Sequence, residues 1–420
     1  MKKISIIALA AIATISSCTK DGLFPDKDGR EEIVTGTAPQ VFNATMEGFP
    51  ATRAALDGMT PSWEVGDVIS IDGHSYTAKT AGTSSTFEGT GAGEAIHHAY
   101  FPAGLYNGGS PALPAVQTYV AGKFDMPMYA ESDNSTLSFK NLCAVLAIKV
   151  TSDDITTLKS IKVASDKKMN GTFTVSDNKA VVGTDGTNVL VLESSTALTL
   201  NADGTTFYIA IPAQNYMYLN IYLSSDGETY TRAMATKKAA GLGDIARSKM
   251  FNIGYETNAF QIYANGPYFA DRNVGASSAT DVGSRMTFAD ATDTGSDYVW
   301  GANWCTPSKP KMDELLKAAT SKGSEKVKCE IVREGNVETG KIIGFKFTGK
   351  ETGYTGNSVF FPAKTVDSSY SSDAEYWSST SYQGGEAWDM YLHYYSGEWL
   401  SKWYSDYRGE KFPVRPVLVN

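Results

Sequence analysis

The sequence predicts a mainly β protein: two tandem antiparallel β-sandwiches followed by a compact α+β module. Three observations point there. Between Val41 and Glu256 apolar residues recur with a period of two rather than 3.6, short runs are separated by Gly/Asn/Asp clusters, and aromatic residues concentrate after Tyr263. A chain of 420 residues is long enough for about three domains. With 37 Lys and Arg against 46 Asp and Glu, the net charge is −9, so a polyanion meets no favourable overall field and nucleic acid is disfavoured as a partner. Four Cys, none in a C-x-x-C spacing, build neither a disulfide scaffold nor a thiolate metal site.

The elements follow in chain order. Lys2 and Lys3 precede an apolar stretch from Ile4 to Ile15, too short to span a bilayer but ordered like an export signal, so residues 1–17 are read as a signal peptide. Ile15-Ser16-Ser17-Cys18 looks like a bacterial lipobox, which makes Cys18 the acylated first residue of the mature chain. The polar, Gly-containing run that follows, residues 18–36, suits a tether between membrane and folded body. The expected location is therefore outside the cytoplasm, lipid-anchored to the outer membrane, with no membrane contact beyond the anchor.

The two sandwiches are assigned to residues 37–140 and 141–258. Phe207, Ile209 and Ile211 alternate up to Pro212; Met217, Leu219, Ile221 and Leu223 then take one strand face while Tyr218, Asn220 and Tyr222 take the other. Within this stretch Phe42-Asn43-Ala44, Thr52-Arg53, Trp63-Glu64-Val65-Gly66-Asp67-Val68-Ile69, Ala99-Tyr100-Phe101-Pro102-Ala103 and the Phe207–Tyr222 strand pair resemble the fimbrillins, fimbrial subunits of anaerobic Gram-negative bacteria. The resemblance implies transthyretin-like sandwiches, export as a lipoprotein, and trimming by an arginine-directed protease. Arg53 is the candidate cleavage site; the alternative is an ordinary surface arginine at a strand end. Cleavage there would remove residues 41–53, leaving a groove with unpaired backbone groups that a strand from another fimbrial subunit could fill.

The third module spans residues 260–420. Pro310 suits a helix start, and Met312, Leu315, Leu316 and Ala319 follow the helical period until Gly323. Six of the seven Trp fall between Trp300 and Trp403, far above an even spread. Phe269-Ala270-Asp271-Arg272-Asn273-Val274-Gly275-Ala276, Asn303-Trp304-Cys305-Thr306-Pro307-Ser308, Glu314-Leu315-Leu316, Asn357-Ser358-Val359-Phe360-Phe361-Pro362-Ala363, Tyr376-Trp377-Ser378-Ser379-Thr380 and Val414-Arg415-Pro416-Val417 resemble the FISUMP-type modules, relatives of the C-type-lectin-like fold. The usual Trp-Arg-Leu-Pro-Thr before the helix reads Trp-Cys-Thr-Pro-Ser here. The Glu-Pro-Asn and Gln-Pro-Asp triplets of calcium-dependent lectins are missing, so calcium-mediated sugar chelation is not implied. Cys305 and Cys329 could form a disulfide in an exported protein or remain two buried thiols.

No arrangement of nucleophile and base, paired carboxylates or metal ligands is evident, so neither an enzyme nor a cofactor is expected. His97 and His98 point to opposite faces of a strand, His74 lies in a turn, and His393 sits among aromatics. Asp271, Asp389, Glu386 and Glu398 could converge, but spacing alone does not place them. The aromatic run Trp388, Tyr391, Tyr395, Trp399, Trp403, Tyr404 and Tyr407 divides between core and surface, and its exposed part, expected around Trp399 to Tyr407, is the candidate ligand-binding surface. The functional expectation is a fimbrial tip or accessory subunit. It would accept a strand from another subunit and present its last module to a glycan or a host or bacterial surface protein. The alternative is a monomeric surface lipoprotein that binds such a ligand without polymerising.

Overall fold

A computed structural model describes residues 39–48, 62–106, 108–235, 242–253, 257–293, 303–320, 326–336, 338–364, 371–395 and 397–419. The export segment, the tether with Cys18, and Arg53 lie outside the described residues. The protein is mainly β, with two short α-helices and a single 3-10 turn among the described residues. None of the described helices is long and apolar enough to cross a membrane, which leaves strand-built crossings unaddressed.

The first strands, β1 (Gln40–Met46), β2 (Val68–Ile71), β3 (His74–Ala78), β4 (Ser84–Gly89) and β5 (His97–Phe101), lead into an excursion that carries β6 (Val116–Tyr119). The chain then returns for β7 (Met128–Ser132) and β8 (Thr136–Asn141). Without β6, these strands close into a barrel in the order β1-β4-β3-β2-β5-β7-β8. The seam is β1, antiparallel to β4 and parallel to β8. Alternation along β1 sends Phe42 and Ala44 inward, where they join a core centred on Trp63. The Trp63 indole meets Phe87, Phe101 and Phe139 edge-to-face, with centroids 4.9, 5.1 and 5.4 Å away. The rest of that motif is a turn: Gly66 sits at φ +95° and the Asp67 carboxylate accepts from the Glu64 backbone N–H at 2.8 Å.

The second region holds β9 (Cys143–Val150), β10 (Thr157–Ser165), β11 (Val189–Thr199), β12 (Thr205–Pro212), β13 (Leu219–Ser224), β14 (Arg232–Ala235), β15 (Met250–Asn252) and β16 (Thr257–Phe260). Beyond it come β17 (Phe269–Ala270), α1 (Phe288–Thr292), β18 (Trp304–Cys305), α2 (Lys309–Thr320), β19 (Val327–Arg333), β20 (Ile342–Gly349) and β21 (Ser358–Pro362). The last strands are β22 (Ser371–Ser381), β23 (Glu386–Tyr395), β24 (Glu398–Tyr407) and β25 (Val417–Leu418).

One sheet of nine strands, in the order β18-β25-β17-β16-β14-β13-β10-β11-β6, continues without a break from the second region into the third. It explains why β13 is buried along its whole length rather than on alternate residues. Leu219, Ile221 and Leu223 face the core shared with Phe207, Ile209 and Ile211, a layer formed by the sheet β12-β9-β15. Tyr222 faces a separate core with Tyr268, Trp304 and Trp377. Asn220, on that second face, accepts from the Asn303 side-chain amide at 3.0 Å. The face that carries Asn220 and Tyr222 thus meets another layer. Met217, expected on the apolar face, lies before β13 and is exposed.

In α2, Met312, Leu315 and Leu316 are buried, as the helical period predicts, with Ala318 beside them and Ala319 partly covered. The short α1 carries a signal the period misses: the Thr287 hydroxyl accepts from the Asp290 backbone N–H at 3.3 Å and donates to its carboxylate at 2.8 Å, capping the first turn. Two three-stranded sheets, β19-β20-β21 and β22-β23-β24, lie in the third region.

Candidate functional site

The family-like motifs of the third module converge on scaffold. Asn273 is wholly buried and its side-chain amide donates to the Val282 carbonyl and to the Tyr376 hydroxyl, each at 3.0 Å. Tyr376 stacks edge-to-face on Phe361, and the Trp377 indole N–H donates to the Met286 carbonyl at 2.9 Å. Arg415, nearly inaccessible, donates to the carbonyls of Ala270 and Phe360 and lies over the Phe361 ring. Burial pulls its pKa down to about 10, against the opposing pull of Tyr376 and Asp271. These residues hold strands together rather than offer themselves to a ligand.

The remaining aromatics lie on β22-β23-β24, and register sorts them. Residues paired across antiparallel strands share a face. Pairing of Tyr394 with Trp399 and of Met390 with Trp403 places these residues on the inner face with Ala374, Tyr376 and Leu392. Trp399 meets Phe347 edge-to-face at 5.7 Å. The Trp403 indole N–H donates to the Asp313 carboxylate of α2 at 2.6 Å, and the Lys309 ammonium sits 4.5 Å from its ring centre. Trp388 is on the same face, beneath Lys309 and against Tyr382. The expectation that exposed rings would cluster around Trp399 and Trp403 is therefore corrected: both are half-buried, Trp399 braced on β20 and Trp403 on α2, and Trp388 lies with Trp403 under Lys309. Tyr407 is open to solvent, 67% exposed, at the end of the strand.

The outer face carries Tyr391, His393 and Tyr395 on β23, with Leu400, Lys402, Tyr404 and Asp406 on β24 and Asp373 and Glu375 on β22. Tyr391, His393 and Tyr395 form a stacked row, and Tyr404 meets Tyr391 edge-to-face at 5.1 Å. His393 Nδ1 lies 2.5 Å from the Asp373 carboxylate, and the Glu375 carboxylate is paired with Lys364 at 2.7 Å. Burial, then the hydrogen bond with Asp373, holds the Tyr391 phenol above its usual pKa. At the end of this face nearest Trp377, Asp389, opposite Tyr404, is fully inaccessible, and no donor reaches its oxygens except the neighbouring acid Asp406. Burial, followed by the charges of Asp406 and Glu375, pushes its acid up to about 7. Sequence spacing placed Asp389 among four unconnected carboxylates. Glu386 instead takes the Ser405 hydroxyl on the inner face at 2.7 Å, Glu398 is exposed at the strand start, and Asp271 pairs with Arg272.

Cys305 and Cys329 are both free thiols at the margin of the helix-side core, and burial raises the pKa of each. His97 pairs with Asp72 at 2.7 Å while His98 reaches Tyr129 at 2.7 Å, so the adjacent imidazoles serve different partners. A cleft of about 640 Å³ lies where β6 and β12 approach, lined by Tyr119, Phe124 and Tyr208. Two of its polar groups are engaged internally. The Gln117 amide bridges both backbone groups of Ala210 at 2.7 and 2.9 Å, and Lys123 is ringed by Glu64, Asp67 and Asp125.

No protein-family model matches the chain, and no curated protein matches it. Among solved structures, one described as a "putative cell adhesion protein" from Bacteroides ovatus is similar over 54% of this chain and 98% of its own, at 16% identity and a TM-score of 0.29. That likeness is too distant to assign fold or function.

Proposed function

We propose that this chain is a non-enzymatic, cell-surface binding protein, a fimbrial tip or accessory subunit. In this reading it accepts a partner's strand in its barrel and presents the outer face of β22-β23-β24 to its ligand. The observation that carries the reading is the position of β1. It is a seven-residue strand at the seam of a closed barrel, held on both sides, with Phe42 and Ala44 buried in the core and Met46 packed at its margin. Its removal would expose the edges of β4 and β8 together, along with the rings they shelter, and an extended segment of matching alternation would restore both ladders. By contrast β25 is an interior strand, flanked by β17 and β18, and is not available for donation.

Mass spectrometry of native material tests this. The expected mature chain in assembled fibres begins after Arg53, with the protein at fibre ends and adhesion sensitive to Tyr404→Ala. A lipidated chain beginning at Cys18 in those fibres, or labelling along the shaft, would overturn strand acceptance. Adhesion indifferent to the outer face would overturn the binding assignment.

A further inference from the structure

We propose that the outer face of β22-β23-β24 around Asp406 binds an amino sugar with a free amine, the ammonium meeting Asp406, which the buried Asp389 backs from beneath, and the sugar ring lying against Tyr404. The inference rests on the surface-binding reading above and names the ligand class. Its first support is an imbalance of partners. Asp373 has His393 and Glu375 has Lys364, whereas Asp389 has only the neighbouring acid Asp406, and Asp406 has no ion pair among the described residues. Lys402 shares the face and is exposed, yet makes no ion pair with either carboxylate among the described residues. A buried carboxylate without a donor is costly, and two neighbouring ones repel, so the missing complement is a cation that also carries N–H donors.

The second support is the ring geometry. Tyr404, the direct cross-strand neighbour of Asp389, is 44% exposed, and Tyr391 stands beside it. Aromatic faces next to carboxylates attract an ammonium and also cover the apolar face of a sugar. A lysine peptide fits less well. Asp389 is on the middle strand, so a strand added at the open edge of β24 would run roughly 10 Å away from it. A peptide laid flat on the face would find only side chains for its backbone groups. A hexosamine carries its amine directly on the ring.

The exchange balances. The proton that burial holds on Asp389 in the free protein leaves to solvent when the ammonium arrives, and the ligand's charge takes its place.

Calorimetry on the full-length mature protein at pH 6.5 tests the proposal with three probes: the β-1,4-linked hexamer of glucosamine, its fully N-acetylated counterpart, and hexalysine. The glucosamine hexamer should bind at least tenfold tighter than the other two, with proton release read from buffers of different ionisation heat. Asp389→Asn and Tyr404→Ala should each weaken it at least tenfold, and Glu398→Gln, at the far end of the face, should leave it unchanged. Thermal melts establish that each variant is folded; if Asp389→Asn does not fold, Asp406→Asn takes its place. Equal binding of the acetylated hexamer, equal binding of hexalysine, or indifference to the aspartate variants overturns the amino-sugar assignment. If no hexamer binds while cell attachment still depends on Tyr404, only the ligand class falls. If attachment also ignores Tyr404→Ala, the surface-binding reading falls with it.

Discussion

The two faces of β22-β23-β24 are built from the same kinds of residue and do opposite things. The inner face spends its rings on packing: Trp399 on Phe347, Trp403 on α2, Tyr376 on Phe361. The outer face leaves Tyr395, Leu400 and Tyr404 in water and collects Asp373, Glu375, Asp389 and Asp406 beside them. A period of two assigns each residue to a face, but the aromatic content of the faces is so alike that only the layer stacked on one of them makes it the core. Aromatic density therefore marks this sheet without saying which face is open, whereas these four carboxylates gather on one face alone.

The comparison breaks first at the end where the outer face stops being outer. Trp377 pairs with Asp389 in register, yet α1, Met286 and Phe412 cover it completely. Trp377→Ala should cost about 3–5 kcal/mol, seen as a lower urea midpoint at unchanged slope. A cost near zero would mean that this end is open and that the contrast between faces is misplaced. Next comes Asp389. Its folded pKa of about 7 lies above the unfolded carboxylate value of 3.8, so the native state binds more protons between those values. Stability therefore falls as pH rises from about 4 to 7, and the penalty is fully present above 7. Asp389→Asn should leave stability at pH 4 nearly unchanged and raise it at pH 8 by on the order of 2–4 kcal/mol. An unchanged pH profile would show that the buried carboxylate is not strained by its neighbours.

Much of this was legible in the sequence, and the omissions have physical causes. The β class, the α2 helix from Pro310 and the apolar alternation around Phe207–Ile211 follow from local periodicity, which the structure keeps. The burial of both faces of β13 was not legible. It arises because β14, β16 and β17 extend its sheet under a second core, a pairing between segments remote in sequence. For the same reason Trp399 and Trp403 read as surface: Ser401 and Lys402 between them look exposed, and nothing local announces that α2, some 90 residues earlier, supplies Asp313 as the indole's acceptor. The motif residues Asn273, Tyr376 and Arg415 were legible as landmarks but not as one hydrogen-bonded hub. Asp389 was legible only as a carboxylate among others, since the lack of a partner is a property of space rather than of order along the chain.

Two smaller effects sharpen the contrast. Trp403→Phe keeps the ring and removes the N–H that reaches Asp313, so it should cost about 1–2 kcal/mol, a charge-acceptor hydrogen bond discounted for partial exposure. In the double variant with Asp313→Ala that cost should vanish, because the partner is already gone. Tyr404→Ala is the mirror experiment. Its one ring contact is with Tyr391 and it is 44% exposed, so stability should move by less than about 1 kcal/mol while ligand binding drops. A Tyr404→Ala protein that melts as early as Trp403→Phe would place this ring among the braces. Because Tyr404 and Trp403 are adjacent in sequence, only the pleat separates them, and the two melting curves measure directly whether one residue's step along β24 carries the chain from scaffold to site.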